Sequence, residues 1–423
     1  MSKTQKNNEH NPYVNRQGNV LNFHRVGGPP CFSSFQRAVH DGTSQAHTNY
    51  ILDFSKTDRV FPDAAVPVAA YIDLYKSERL SFDIRRAPWF VTRSKLLSPA
   101  TVTSARHREK SEPMGIVWKF QELSELVEIT NLFVDAIATH HVCAAGVVEG
   151  FEWCLNEVMD NVLQHSEGSP GYTMMQVHSR RKRLAICIAD HGIGIHRSLE
   201  RSRFHPSSAL DALTLAIKSG VTRDPEIGQG NGLWGLSEVV RLNAGRLNIV
   251  SAGAALYFDG SQTNTFPSVG HNWTQPGTVV DFRIDTSASI DIGAALGGHK
   301  PTNLRIESLE TDSGGHQILI RDVAHGTGTR RSGQQVRTFV QNVFNEGAPR
   351  VVLDFTDVGM ISSSFADEVI GKLVAELGFS TFCDRVHVQN VNSTIQPLID
   401  RAVAQRLSTT VSIPGSPAGN GVR

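Results

Sequence analysis

One pattern occurs twice in this chain and constrains its architecture most. Tyr50-Ile-Leu-Asp-Phe54 and Val351-Val-Leu-Asp-Phe355 are short apolar runs that close on an aspartate and an aromatic ring. Aligning Asp53 with Asp354 also aligns Ala65 with Ala366 and Val68 with Val369. A short continuous apolar run bounded by loop residues reads as a buried strand. After each run comes a loop, then an apolar helical stretch (AAVPVAAYIDLYKS and SFADEVIGKLVAEL), then a second strand (LSFDIRR and RVHVQNV). The alignment predicts one β-loop-α-β design used near both ends of the chain.

The chain has 423 residues, a length that calls for roughly two to four domains. Two stretches read as junctions: Lys95–Pro113, of mixed charge and little periodicity, and Thr286–Thr302, rich in small residues and ending in proline. They divide the chain into segments 21–95, 114–285 and 303–406. The polar residues 1–20 are expected to be disordered and 407–423 to be a flexible tail.

Composition excludes several classes. Lys plus Arg and Asp plus Glu each total 41, so the formal net charge is zero. General nucleic-acid binding needs a cationic excess that displaces counterions, and a polybasic membrane anchor needs the same, so neither is expected. No apolar run approaches the roughly 20 residues of a membrane helix, and the N-terminus lacks the apolar centre of a signal peptide. The five cysteines have no CxxC spacing and read as reduced thiols of a cytoplasmic protein. No HExxH or Cys/His cluster points to zinc.

The middle segment predicts helices over Trp118–His141, Gly150–His165, Ala209–Lys218 and Leu233–Leu242. Strands are predicted over Tyr172–His178, Arg183–Ala189, Arg246–Ser251, Ala255–Phe258 and Thr278–Ile284. Helices largely segregated from a hairpin-rich sheet make the class α+β.

Three motifs in this segment bear chemistry. In Asn156-Glu-Val-Met-Asp-Asn161-Val-Leu-Gln-His165, helical spacing puts Glu157, Asn161 and Gln164/His165 on one face. A carboxamide oxygen suits Mg²⁺, and a carboxylate one turn away can position or deprotonate a nucleophile; an ordinary solvated helix face is the alternative. In Ala189-Asp190-His191-Gly192-Ile193-Gly194, a carboxylate leaves a buried strand, and two glycines let backbone approach a planar ligand; the alternative is a plain turn. In Gly228-Gln-Gly230-Asn-Gly232-Leu233, glycines free to wrap phosphates precede a helix whose N–H groups and positive dipole end point the same way. Leu233 stands where a Rossmann fingerprint wants a third glycine, and no GKS or GKT follows for a Walker loop.

Taken in order, E-x-x-x-N on a helix, D-x-G-x-G after a strand and G-x-G-x-G-L before a helix resemble the nucleotide site of the GHKL ATPase superfamily, over about 170 residues. That resemblance implies a Bergerat-type α/β sandwich binding ATP and Mg²⁺. It implies Glu157 as the catalytic carboxylate, Asn161 as the Mg²⁺ ligand and Asp190 as acceptor of the adenine amino group. Gly192 and Gly194 would shape the adenine pocket, and Gly228, Gly230, Gly232 and Leu233 would line the phosphates. A mobile lid would span residues 196–227, from which Lys218 or Arg223 would reach phosphate oxygens; solvated surface is the alternative for both. The N-E-V-M-D-N form is similar to anti-sigma-factor serine kinases. His140 and His141 are followed by Val and Cys, not by an acidic residue, so they do not resemble a sensor kinase's phosphoacceptor.

Segment 303–406 resembles STAS and STAS-like domains, the fold of anti-anti-sigma factors, through Leu353-Asp-Phe-Thr-Asp-Val-Gly-Met-Ile-Ser-Ser-Ser-Phe-Ala-Asp-Glu368. In those factors a serine of a D-S-S-G element is phosphorylated. Here Ser363 falls on that position, with Ser362 for the Asp and Phe365 for the Gly; the alternative is that Ser363 caps the next helix. The first segment has Phe61, Pro62 and Asp63 there, so it reads as a degenerate STAS-like scaffold. These resemblances imply an Mg²⁺-ATP-dependent switch, an ATPase or serine kinase acting on a protein partner, with homodimerisation common in the superfamily. The rival is a non-catalytic ATP-sensing interaction module. A stress or phage-defence role rests on the domain combination alone.

Overall fold

The computed structural model describes residues 12–221, 232–267, 277–298, 308–311, 314–324 and 326–410. The chain divides into two compact units, Met1–Ala136 with Glu149–Lys300, and Ile137–Val148 with Pro301–Arg423. Both mix helices with sheets, so the protein is α+β. Among the described residues no helix is long and apolar enough to cross a membrane.

The first unit opens with a hairpin, β1 (Val14–Gln17) and β2 (Val20–Phe23). Residues 14–20 are therefore not a disordered tail. Val14, Leu21 and Phe23 are buried, and Gly18 turns the chain at φ +60°, so the apolar alternation outweighs the polar composition. Helix α1 (Pro29–Thr43), strand β3 (Asn49–Asp53), helix α2 (Pro62–Ser77) and strand β4 (Ser81–Arg85) complete the module. The sheet order is β1-β2-β3-β4, with β2, β3 and β4 parallel.

Helix α2 starts on Pro62 and Asp63 and ends near Lys76, with proline and an acid in the first turn and a base in the last. Its side chains are buried nearly all the way round. A helix with no polar face must be covered on every side. Here α1 and the module's own sheet cover part of it, and strands of a second sheet cover the rest.

That second sheet has seven strands in the order β10-β9-β8-β11-β7-β6-β5. They are β5 (Trp118–Phe120), β6 (Gly171–His178), β7 (Arg183–Asp190), β8 (Arg246–Ser251), β9 (Ala254–Phe258), β10 (Thr263–Phe266) and β11 (Thr278–Asp285). All neighbours are antiparallel. Side chains alternate between faces along a strand. Tyr172, Met174, Cys187, Ala189, Val250, Ala255 and Val279 point to the N-terminal module and share its core. Ile186, Ile188, Ile249, Val280 and Phe282 alternate with them and are buried on the opposite face. Both faces are thus covered, which explains why β7 reads as an unbroken apolar run. Each large apolar side chain so buried contributes about 1.5–3 kcal/mol.

The helices of this region are α3 (Leu123–His140), α4 (Val147–His165), α5 (Gly194–Glu200), α6 (Ala209–Ala216) and α7 (Gly232–Leu242). Expected helix Trp118–His141 begins later, because Trp118–Phe120 pairs with Gly171–Thr173 as β5. Three residues are too few to reveal a period. The stretch 95–113 is packed: Leu96 and Val102 are buried and Ala100 donates to Val117 O at 2.9 Å.

The second unit holds a parallel sheet β12 (His316–Leu319), β13 (Val351–Asp354), β14 (Val386–Gln389). Helix α8 (Arg330–Asn345) follows β12. After β13 come α9 (Ser363–Ala366), a π-helical turn over Asp367–Gly371 and α10 (Lys372–Leu377). Helix α11 (Gln396–Thr410) packs on that π turn, and Arg406 forks onto Asp367 with two bonds of 2.8 Å. Residues Ile137–Val148 belong here, held by Asn342, which donates to Ala138 O and His141 O and accepts from Cys143 N, each at 2.8 Å.

The repeat extends further than its sequence signal. Strands β2, β3 and β4 and strands β12, β13 and β14 each form a β-α-β-α-β unit with three parallel strands. Asp53 and Asp354 end the central strands, and each accepts the backbone N–H two residues on, from Ser55 at 2.9 Å and Thr356 at 2.8 Å.

Candidate functional site

Helix α4 is the spine of the candidate site. Phe151, Cys154, Leu155, Val158, Met159 and Val162 bury one side of it, which turns Glu157 and Asn161 to a half-buried flank one turn apart. Burial and the nearby Asp160 raise the Glu157 carboxyl above its ordinary range. Gln164 reaches back to donate to Asp160.

Gly232, the first residue of α7, closes on this flank. A Cβ there would lie 2.6 Å from Glu157 Oε2 and 3.1 Å from Asn161 Nδ2. A side chain there would have to turn the Glu157 carboxylate aside. The close approach brings the first and third motifs together and sets the N-terminal end of an 11-residue helix beside a carboxylate and a carboxamide. One turn on, a Cβ at Gly235 would lie 2.2 Å from the Trp153 ring, so α7 is seated on α4 at two consecutive turns. Leu233 packs against Leu199, Ala212 and Ala216 of α5 and α6. Lys218 is exposed just beyond α6. Arg223, Gly228 and Gly230 lie outside the described residues.

The second motif meets the far end of α4. Asp190 ends β7 and is buried. Its Oδ1 accepts the Gly192 N–H at 2.7 Å, and the Thr278 backbone also donates to the carboxylate. Burial still pushes its carboxyl up to about 7. A Cβ on Gly192 would lie 2.4 Å from Ser166 O, just past α4. Gly194, at φ +76°, faces Ser251 Oγ at 2.9 Å and Gly277 O at 3.2 Å from its Cβ position. Ser251 Oγ accepts from Ile195 N at 2.9 Å, donates to Gly277 O at 2.9 Å and lies 3.2 Å from Thr278 Oγ1. Sequence reasoning missed Ser251, Gly277 and Thr278. The one available signal was a Gly-Thr pair opening a strand.

The set has two polar ends. A buried acceptor stands at one end, and a helix N-terminus with an amide and a carboxylate stands at the other. Among the described residues there is no group of three or more His, Cys, Asp or Glu placed to hold a metal ion by itself.

In the second unit Ser363 is exposed at the start of α9. It is not the cap. Ser362 holds the N-cap position, accepting from Phe365 N at 3.1 Å and lying 3.0 Å from Ser364 Oγ. Glu368, buried below, meets Lys372 at 2.6 Å and Arg330 at 3.1 Å.

Residues 332–396 match a STAS-like domain of unknown function (DUF4325). The match runs from α8 to the first residue of α11 and includes Asp354 and Ser363. No curated protein matches the chain. Among solved structures the chain is similar to the mycobacterial sensor histidine kinase MprB at 17% identity, over 41% of this chain and 99% of that one. The TM-score of 0.23 makes that likeness too loose to argue from.

Proposed function

We propose that residues 114–285 are a GHKL-type, Bergerat-type nucleotide domain that binds ATP with Mg²⁺, and that the STAS-like modules connect its nucleotide state to a protein partner. The observation that carries this reading is Gly232 seated against Glu157 and Asn161. It joins a potential metal ligand, a potential base and a helix N-terminus at one point. Asp190 ends β7, and its loop meets the far end of that helix where Gly192 closes on Ser166; Asn161 to Ser166 and Glu157 to Ser166 span about 8 and 14 Å at 1.5 Å per residue. That separation suits a base at Asp190 and phosphates at Gly232.

In this reading Asp190 accepts the adenine amino group in a dry pocket, where a hydrogen bond counts for more than in water. Asn161 and phosphate oxygens would hold Mg²⁺. Bound Mg²⁺-ATP would supply the transferable phosphoryl group. Glu157, with its raised carboxyl, takes the proton from a water or a serine hydroxyl and orients it. The exposed Ser363 hydroxyl is the chain's own candidate acceptor, and Lys218 and Arg223 are candidate phosphate contacts.

Equilibrium binding and mass spectrometry after ATP incubation test the reading. Glu157→Ala should still bind ATP and lose turnover by about 10²–10⁴-fold, whereas Asp190→Asn should lose binding. Phosphate on Ser363 identifies a kinase, and ADP without labelling an ATPase. Binding with neither product leaves an ATP-sensing module. Wild-type protein that binds no adenine nucleotide rejects the proposal.

A further inference from the structure

The seam between the N-terminal module and the seven-stranded sheet is mostly apolar. One of its polar clusters leads to the candidate site. Asp73 of α2 accepts from Lys119 Nζ of β5 and from the Tyr172 hydroxyl of β6, each at 2.8 Å. Tyr172 is fully buried. Its backbone pairs with Ala189, the residue before Asp190, and its ring centroid lies 6.2 Å from that of His191, the residue after. His191 is held in turn by Ser169, whose Oγ accepts its N–H at 3.2 Å and lies 3.0 Å from its Nδ1.

A second approach comes two residues earlier on the same helix. The Tyr71 hydroxyl lies 3.4 Å from the Cβ position of Gly277, and that position is only 2.6 Å from Asp190 O. Gly277 adjoins Thr278, whose backbone donates to the Asp190 carboxylate. Asp73 thus reaches one side of Asp190 through Tyr172 and His191, and the Tyr71 hydroxyl lies beside Gly277 and Thr278 on the other. Phenylalanine would fill the Tyr172 site as well as tyrosine does and would leave no hydroxyl to satisfy. The hydroxyl is instead committed to a carboxylate of the other module.

We propose that helix α2 of the N-terminal module is part of the nucleotide site, with Asp73, Tyr172 and Tyr71 as positioning residues that hold the Asp190–Gly192 loop in its receptive geometry. This rests on the nucleotide reading for its functional meaning, but the bracing itself does not need a ligand. A partner that bends or lifts α2 would reach base recognition directly.

The test uses full-length Tyr172→Phe, Tyr71→Phe and Asp73→Ala. The two phenylalanine variants remove single oxygens and remain informative if Asp73→Ala fails to fold. Hydrogen exchange over residues 190–195 of the free protein should quicken by about three- to tenfold, with no change in α11. The preference for ATP over inosine triphosphate, which has an oxygen in place of the amino group, should fall by a similar factor. Unchanged exchange at 190–195 in folded variants overturns the proposal whatever binds. Equal losses for both nucleotides also overturn it, because simple loosening does not discriminate bases. Faster exchange in a protein whose wild type binds no adenine nucleotide supports the bracing and removes the nucleotide reading.

Discussion

Gly232 is the residue on which the site turns. A methyl group there would stand 2.6 Å from the Glu157 carboxylate, so Gly232→Ala must push α7 away from α4 or turn Glu157 aside. Nucleotide affinity, read by titration, should drop by at least about tenfold, while far-UV dichroism stays native. Asp190 gives a pH prediction. Its buried carboxyl is pushed up to about 7, so the ionised acceptor dominates above that pH and the protonated form below it. Adenine-nucleotide affinity, read by titration, should rise from about pH 6 to pH 8, and a flat profile over that range would reject the ionised acceptor. Glu157, Asn161 and Asp190 stood out as candidates because each sits in a short motif with its neighbours. Ser251 and Thr278 were not, since a hydroxyl at a strand end is common and becomes meaningful only once the sheet brings β8 and β11 beside β7.

At the scale of elements, α2 decides most. Its stretch AAVPVAAYIDLYKS carries no polar face, a sign in the sequence that it is covered on all sides. What covers it was not legible, because that depends on strands far along the chain. Its N-terminal turn also buries charge. Asp63 meets Arg283 of β11 at 3.1 Å, and the neighbouring Asp281 is buried with Oδ1 lacking a partner. Burial first, then Asp63, raise the Asp281 carboxyl, while Arg283 acts in the opposite sense. The folded state therefore holds the Asp281 proton more tightly than the unfolded state does. The Asp281 contribution to stability should fall as pH rises above about 4, the unfolded value. Asp281→Asn has no charge to bury, so its denaturation midpoint should decline less over that range and exceed wild type at alkaline pH. Parallel curves for the two proteins would reject this account. The Arg406 fork is a comparable clasp in the second unit. Arg406→Ala should expose α11 to proteolysis before any loss of the parallel sheet, because the Asp367 side chain and the π turn would lose their cover.

At the scale of the whole molecule, the repeat was legible from two strands and one helix per copy, and the structure completes it with a further strand and helix. The junction at 95–113 was misleading, since a stretch of mixed charge can still bury Leu96 and Val102. A chain beginning at residue 114 would bare Tyr172, Met174, Cys187, Ala189, Val250 and Val279 as one apolar sheet face. Such a face is larger than soluble monomers tolerate. That fragment should bind a hydrophobic dye and aggregate, and adding the N-terminal module on the same chain should abolish both; a monomeric, dye-negative fragment would show that the face needs no cover.

The pairing of Asp63 with Arg283 has a consequence for synthesis. The two residues are 220 positions apart in the chain. At about 5–20 residues per second, α2 leaves the ribosome roughly 10–45 s before β11 exists to receive it. Asp63 waits that whole interval for Arg283, and the flank of the helix that β6 and β7 cover stays bare until residues 171–190 follow it. The nascent chain is most vulnerable then, and a chaperone that holds apolar helices would have its longest opportunity between the emergence of Ser77 and that of Asp190.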